Sequence, residues 1–258
     1  MYQALSNKRM NQIVLEPKEL DAEQRVALCG RRATHLVRVL DVRVGDRVRV
    51  GLLGGGRGVG DVVGMDAEAV TLRCSFDRPA LSPSHVTLLL ALPRPKVVRR
   101  LFAPLASWGV EKVIFTNAAK VERVYFDTHW LQATHYERLL YEGLEQSGET
   151  RMPEIQVVRR LKPLVADSLS DWQGSKLLLH PNGDPIPACG DTLHVPILVA
   201  IGPEGGWTDY EVDLFRAHGF TCVTLGARIL RSDIAVHAIL GILQGRLLQE
   251  SRDDQSAI

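Results

Sequence analysis

Two stretches of this chain combine bare backbone with charge. Gly202-Pro203-Glu204-Gly205-Gly206 follows the apolar run Ile197 to Ile201, and Gly226-Ala227-Arg228-Ile229-Leu230-Arg231 follows Thr221 to Leu225. Glycines let a backbone approach a ligand closely and leave amides open as donors. Either loop alone is consistent with an ordinary strand–helix turn. Two of them at the same ends of neighbouring strands in an open α/β sheet make a ligand crevice. Charged side chains stand beside both loops. Arg231 offers a planar, permanent cation, suited to developing negative charge, to a phosphate or to a structural cap. Glu204 can accept from a ligand or from loop amides. Asp233 is either a base or a charge at a helix N-terminus, and His180, at the end of a strand, reads as a hydrogen-bonded histidine.

The elements that must position these groups follow from pattern. Ile197 to Ile201 is a strand buried on both faces. Thr208 and Glu211 form a capping box, and Gly219 ends the helix that they start. Upstream, strands are expected at Val86–Leu92, Lys112–Thr116, Ile155–Val158 and Lys176–His180. Helices are expected at about Val97–Trp108 and Trp130–Gln146, with Asp233–Gln249 closing the chain. Alternation of this kind argues for a mainly parallel α/β sheet covered on both faces.

Before Val86 the grammar differs. Gln12–Leu15, Arg47–Leu53, Gly60–Met65 and Ala69–Phe76 read as short strands, and Arg32–Leu40 as a small amphipathic helix. Gly54 to Gly58 reads as a hairpin tip rather than a phosphate loop, since no GxGxxG register fits and no helix follows. A small β-barrel over residues 1–77 is expected, joined by a proline-rich linker to an α/β domain over 85–258. Residues 1–60 hold 11 Lys/Arg against 6 Asp/Glu, a balance of +5, whereas the remainder holds 20 against 24. A basic first segment on a mildly acidic body suggests a polyanionic partner, although a solvated basic face explains charge alone equally well.

Of the 258 residues, 45% are hydrophobic and 24% charged, the composition of globular material. Cys29, Cys74, Cys189 and Cys222 have no CxxC spacing and read as reduced thiols, not as a metal site or a disulfide frame. Residues 1–12 lack the apolar core of a signal peptide, and no run reaches membrane-spanning length. A cytoplasmic protein without metal is expected.

The pairing of IGPEGG with LGARILR, in that order and spacing, resembles the ribosomal RNA small subunit methyltransferase E family of the SPOUT class. LLHP at Leu178–Pro181, GLEQSGETRMPEI at Gly143–Ile155 and GVEKVIF at Gly109–Phe115 extend the likeness. THLVRVLDVRVGD at Thr34–Asp46 resembles that family's PUA-like RNA-binding barrel. The resemblance implies methyl transfer from S-adenosylmethionine to N3 of a uridine in 16S ribosomal RNA of the small subunit. It also implies a trefoil knot in the C-terminal domain and a homodimer. The cofactor pocket it implies contains Leu179, His180, Pro181, Ile201, Gly202, Pro203, Glu204, Gly205, Gly206, Leu225, Gly226, Ile229 and Leu230. Arg231 is the implied stabiliser of uracil charge, with Glu204 as a possible acceptor. RNA contact is expected from Arg9, Arg31, Arg32, Arg38, Arg43 and Arg57, and from Arg94, Lys96, Arg99 and Arg100 nearer the crevice.

Departures stand beside the likeness. Ala103-Pro104 and Ser107-Trp108-Gly109 stand where the family typically has Gln-Lys and Glu-Leu-Gly, which removes charged groups; Ala227 replaces a proline, and Ser232-Asp233-Ile234 replaces a Thr-Glu-Thr-like stretch. Two other readings stay open: a methyltransferase acting on a different RNA uridine, and a knotted RNA-binding relative without turnover. A nucleotide-using enzyme of another kind is opposed by the absence of GxGxxG and GxxxxGK[ST].

Overall fold

The computed structural model describes residues 12–186 and 193–256; Arg9 and Cys189 lie outside them. Two compact units are present. The first comprises residues up to Ser82 with Ala103–Gly109 and Arg138–Met152, and the second Pro83–Phe102, Val110–Glu137 and the chain from Pro153 onward.

In the first unit, β1 (Ile13–Leu15), β2 (Arg25–Cys29), β3 (Arg47–Leu52), β4 (Arg57–Met65) and β5 (Ala69–Arg78) form one sheet in the order β1-β3-β4-β5-β2. β1 runs parallel to β3, and the other pairs are antiparallel. Alternation sets the register: Val48 and Val50 of β3 are buried while Arg47 and Arg49 face out. Helix α1 (Gly30–Arg38) adds Ala33 and Leu36 to a core with Leu15, Leu28, Val50 and Leu72. The glycines after β3 do form a hairpin tip, closed by the Leu52 amide on the Gly56 carbonyl at 2.9 Å, with Gly54 at φ +72°. Residues of 138–152 join this unit through specific bonds. The Gly54 amide donates to the Thr150 carbonyl at 2.7 Å, and the Thr150 hydroxyl donates to the Gly55 carbonyl at 2.7 Å. Strand β2 was not expected from the sequence.

The second unit is built on a six-stranded sheet of β6 (Val86–Ala91), β7 (Lys112–Thr116), β8 (Glu154–Val158), β9 (Lys176–Pro185), β10 (Ile197–Ile201) and β11 (Thr221–Thr224). Its order is β11-β9-β10-β6-β7-β8, and every pairing is parallel. All residues of β6 and β10 are buried, so both faces of the central strands are covered. The unit also contains most of α2 (Pro95–Ser107), the first turn of α3 (Ala133–Ser147), and the short α4 (Leu161–Pro163), continued by a wider turn over Leu164–Ser168. Helices α5 (Asp209–Ala217) and α6 (Ser232–Ser256) complete it. Among the described residues no helix is long and apolar enough to cross a membrane. Cys29, Cys74 and Cys222 are free thiols; burial pushes Cys74 up to about 11.

Candidate active site

The sheet order puts the C-terminal ends of β11, β9 and β10 side by side, and each end is irregular in a way its residues dictate. Strand β9 pairs with β11 through Leu178 and resumes only at Asp184, after a register shift. Residues 179–183 therefore leave that ladder, which frees Leu179, His180 and Pro181 to face a cleft. Beyond β10, the Gly206 amide donates to the Pro203 carbonyl at 2.8 Å, closing a tight turn with Gly206 at φ +68°. After β11, the Thr224 hydroxyl accepts from the Gly226 amide at 3.2 Å, and Gly226 sits at φ +112°. A side chain would be strained at both glycines.

Helix α5 is anchored where the first loop ends. Thr208 accepts from the Glu211 amide at 3.3 Å, and Glu211 accepts from the Thr208 amide at 2.8 Å. The same carboxylate, buried to 4% exposure, takes the Ala119 amide at 2.7 Å and so ties the loop after β7 to the helix start. Thr208→Ala removes the cap side chain and should cost about 1 kcal/mol of stability, read as a lower urea midpoint with an unchanged slope.

Between the loops lies a cleft, partly open to solvent. Leu179, His180, Pro181, Ile201, Gly202, Pro203, Glu204, Gly206, Leu225, Gly226, Ile229 and Leu230 all line it. Gly205 does not. The turn swings it aside, and a Cβ there would meet the stem of Lys120, 2.9 Å from Cδ. The Lys120 ammonium donates to the Gly205 carbonyl at 2.8 Å.

Further wall residues escaped sequence reasoning: Trp207, Thr224, Arg228, Ser232 and Ala235. Trp207 is the most informative. It is 4% exposed, packs edge-on against Phe215 with centroids 4.9 Å apart, and leaves its buried indole N–H without an acceptor. A tryptophan directly after the glycine loop was the signal available. Ser232 donates to the Gly202 carbonyl at 3.3 Å, fastening the start of α6 to the end of β10.

The charged groups separate by role. Glu204 accepts from the Arg94 amide at 3.3 Å, so its carboxylate braces loop backbone. His180 accepts from the Asn182 amide at 3.2 Å. Burial, then the nearby Arg216 cation, holds the His180 pKa below the ordinary histidine value, so the ring is neutral at pH 7. Arg231 lies outside the cleft wall, its side chain 66% exposed, with Nη2 at 3.2 Å from Asp233 Oδ2. Arg100 reaches the same oxygen at 3.0 Å, and Asp233 itself is only 13% exposed. One sheltered carboxylate thus holds two guanidiniums.

Of the arginines expected to touch RNA in the first unit, Arg38 and Arg43 are exposed. Arg31 is paired with Glu142 at 3.2 Å, and Arg32 with Glu19. Arg57 donates to the Pro79 carbonyl at 3.0 Å. In the second unit Arg94, Lys96 and Arg99 are exposed.

Residues 80–244 match the family described as RNA methyltransferase domain. Over 219 residues the chain is 29% identical to the ribosomal RNA small subunit methyltransferase E of Treponema pallidum (strain Nichols), with 82% of each chain covered. It is 28% identical over 226 residues to the protein of that name from Synechocystis sp. (strain ATCC 27184 / PCC 6803 / Kazusa), covering 85% of this chain and 72% of that one. Its fold is shared with a ribosomal RNA small subunit methyltransferase E from Neisseria gonorrhoeae, solved bound to S-adenosyl methionine. The TM-score is 0.72 at 21% identity, over 92% of this chain and 98% of that one. Because the family match spans well over half of the 258 residues, the chain belongs to the RNA methyltransferase family.

Proposed function

We propose that this protein transfers a methyl group from S-adenosylmethionine to N3 of a uridine in 16S ribosomal RNA of the small subunit. One observation carries the reading. In a chain of the RNA methyltransferase family, both glycine loops and the β9 bulge converge on one cleft at adjoining parallel strand ends.

The wall suits that cofactor. Ile201, Leu225, Ile229 and Leu230 supply apolar surface, the glycine loops bring bare backbone to the wall, and the unpartnered Trp207 N–H lacks an acceptor that a polar ligand would provide. When bound, the cofactor supplies an already activated methyl group on a sulfonium. The residues of this chain must then aim the acceptor and stabilise its charge. Uracil N3 is protonated at neutral pH, and its deprotonation spreads charge onto O2 and O4. Arg231 is the group assigned to that charge, and its hydrogen bond to Asp233 fixes the guanidinium beside the start of α6. Glu204 is a loop brace first, since its contact is with the Arg94 amide.

Around this centre we place the finer features of the same reading. Residues 1–77 form a PUA-like β-barrel domain that grips RNA through Arg38 and Arg43, with Arg31, Arg32 and Arg57 released from or shared with their present partners. Residues 85–258 form the methyltransferase domain with its trefoil knot. Exposed Ile234 and Ile242, and the open space around Gly245 on α6, support a homodimer face. The protein acts in the cytoplasm.

Isothermal calorimetry should give saturable one-site binding of S-adenosylmethionine. Mass-spectrometric mapping of ribosomal RNA from cells lacking the protein should reveal a missing N3-methyl on one uridine. Absence of cofactor binding would leave an RNA-binding relative as the reading; a lost methyl in another RNA would move the substrate and keep the chemistry.

A further inference from the structure

The second unit carries an aromatic cluster that the cleft does not use. His129 and Trp130 occupy a short 3-10 turn, His129–Leu131, just before α3, and His135 lies in the first turn of that helix. Ring centroids are 4.5 Å apart for His129 and Trp130, 4.9 Å for His129 and His135, and 6.1 Å for Trp130 and His135. The Thr128 side chain accepts from the Trp130 amide, which fixes the turn. Over the Trp130 ring lies the Arg99 guanidinium, its carbon 5.1 Å from the ring centre.

These groups do not serve the core. His129, His135 and Arg99 are exposed and Trp130 is half-buried, whereas the neighbouring Phe102 is fully buried and stacks on Tyr136. Exposed aromatic rings and arginine planes are what proteins use to hold unpaired nucleotides, because every base offers a π-face. Trp130 orders one face of the guanidinium, and the exposure of Arg99 leaves the other for a base.

Position ties the cluster to the site. Arg99 and Arg100 are consecutive on α2; one lies over Trp130 and the other holds Asp233 at 3.0 Å. Asp233 also holds Arg231, and its sequence neighbour Ser232 lines the cleft. We propose that Trp130, with Arg99 and His129, is a stacking site for an unpaired base of the RNA substrate, adjacent to the nucleotide that enters the cleft. The proposal rests on the methyltransferase reading for the identity of the RNA, not for the contact itself.

Steady-state methyl transfer into small-subunit RNA from cells lacking the protein tests it. Trp130→Ala should raise KM for RNA roughly tenfold, the loss expected for one stacked base, with kcat and the affinity for S-adenosylmethionine near the parent's. Trp130→Phe should recover most of the loss. Arg99→Lys keeps the charge but not the plane, and should also raise KM. A Trp130→Ala enzyme with the parent's KM would overturn the proposal, as would an Arg99→Lys enzyme indistinguishable from the parent. If Trp130→Ala lowers the unfolding temperature, His129→Ala and Arg99→Lys carry the same test. Binding of a fluorescent single-stranded oligoribonucleotide reads the contact without chemistry. A parent that ignores S-adenosylmethionine yet binds this RNA through Trp130 would overturn the methyltransferase reading and leave the stacking site standing.

Discussion

Gly202→Val should show no calorimetric binding of S-adenosylmethionine at concentrations that saturate the parent. Gly202 ends β10 on the cleft wall, and a Cβ there would sit 3.2 Å from the Trp207 indole nitrogen and 3.3 Å from its backbone nitrogen. Those neighbours are confined. Trp207 is 4% exposed and wedged against Phe215, which is itself fully buried. Two γ-methyls added at so crowded a point must either push Trp207, itself a wall residue, or enter the cleft, and either outcome disturbs the ligand space. Overpacking of this kind costs about 1–3 kcal/mol even when the fold absorbs it, so an unfolding curve accompanies the titration and Gly202→Ala serves as the milder variant. Gly205→Ala is the contrast within the same loop. Its Cβ meets the Lys120 stem, the movable part of a flexible side chain, and cofactor affinity should stay within a few-fold of the parent's. Parent-like affinity in Gly202→Val would mean that the cofactor site lies elsewhere.

That contrast shows how far residues alone carry. The glycine loop and its helix were legible because local chemistry dictates them: a five-residue apolar run, a capping box at Thr208 and Glu211, and a left-handed Gly219 at φ +81°. Which glycines line the cleft was not legible. That depends on the Pro203–Gly206 turn, and on Lys120, a residue 85 positions away. Strand β9 runs past its expected end at His180 because pairing with β11 resumes at Asp184, a tertiary fact. Strand β2 buries only Val26 and Leu28 on its inner face and follows Gln24 at φ +58°, so its alternation is too brief to stand out. The grouping of Ala103–Gly109 and Arg138–Met152 with the first unit rests on contacts such as Thr150 with Gly54, within helices and loops that the sequence reads as continuous with the α/β part. The Arg100–Asp233 pair joins residues 133 positions apart and left no local trace.

Arg231→Ala should lower kcat for methyl transfer by about 10²–10³-fold, the loss typical when one donor to a developing anion is removed. Cofactor affinity should not change, because Arg231 does not line the cleft. Stability should hardly move either: the Arg231–Asp233 pair is exposed on the arginine side, and exposed pairs contribute only about 0–1 kcal/mol. What the pair supplies is direction. A guanidinium has five N–H donors, and one hydrogen bond to Asp233 leaves the others to meet uracil oxygens. Arg100 on the same carboxylate keeps Asp233 in place when Arg231 is gone, so the variant should report the lost donor rather than a collapsed loop. Arg231→Lys retains charge without the planar fork and should fall between the two. The pH profile separates this role from a phosphate contact. Without Arg231 the N3 proton is harder to remove, so the residual rate should keep climbing with pH beyond the parent's plateau. A phosphate contact would instead raise KM for RNA and leave both kcat and the profile unchanged, and that outcome would remove Arg231 from the chemistry.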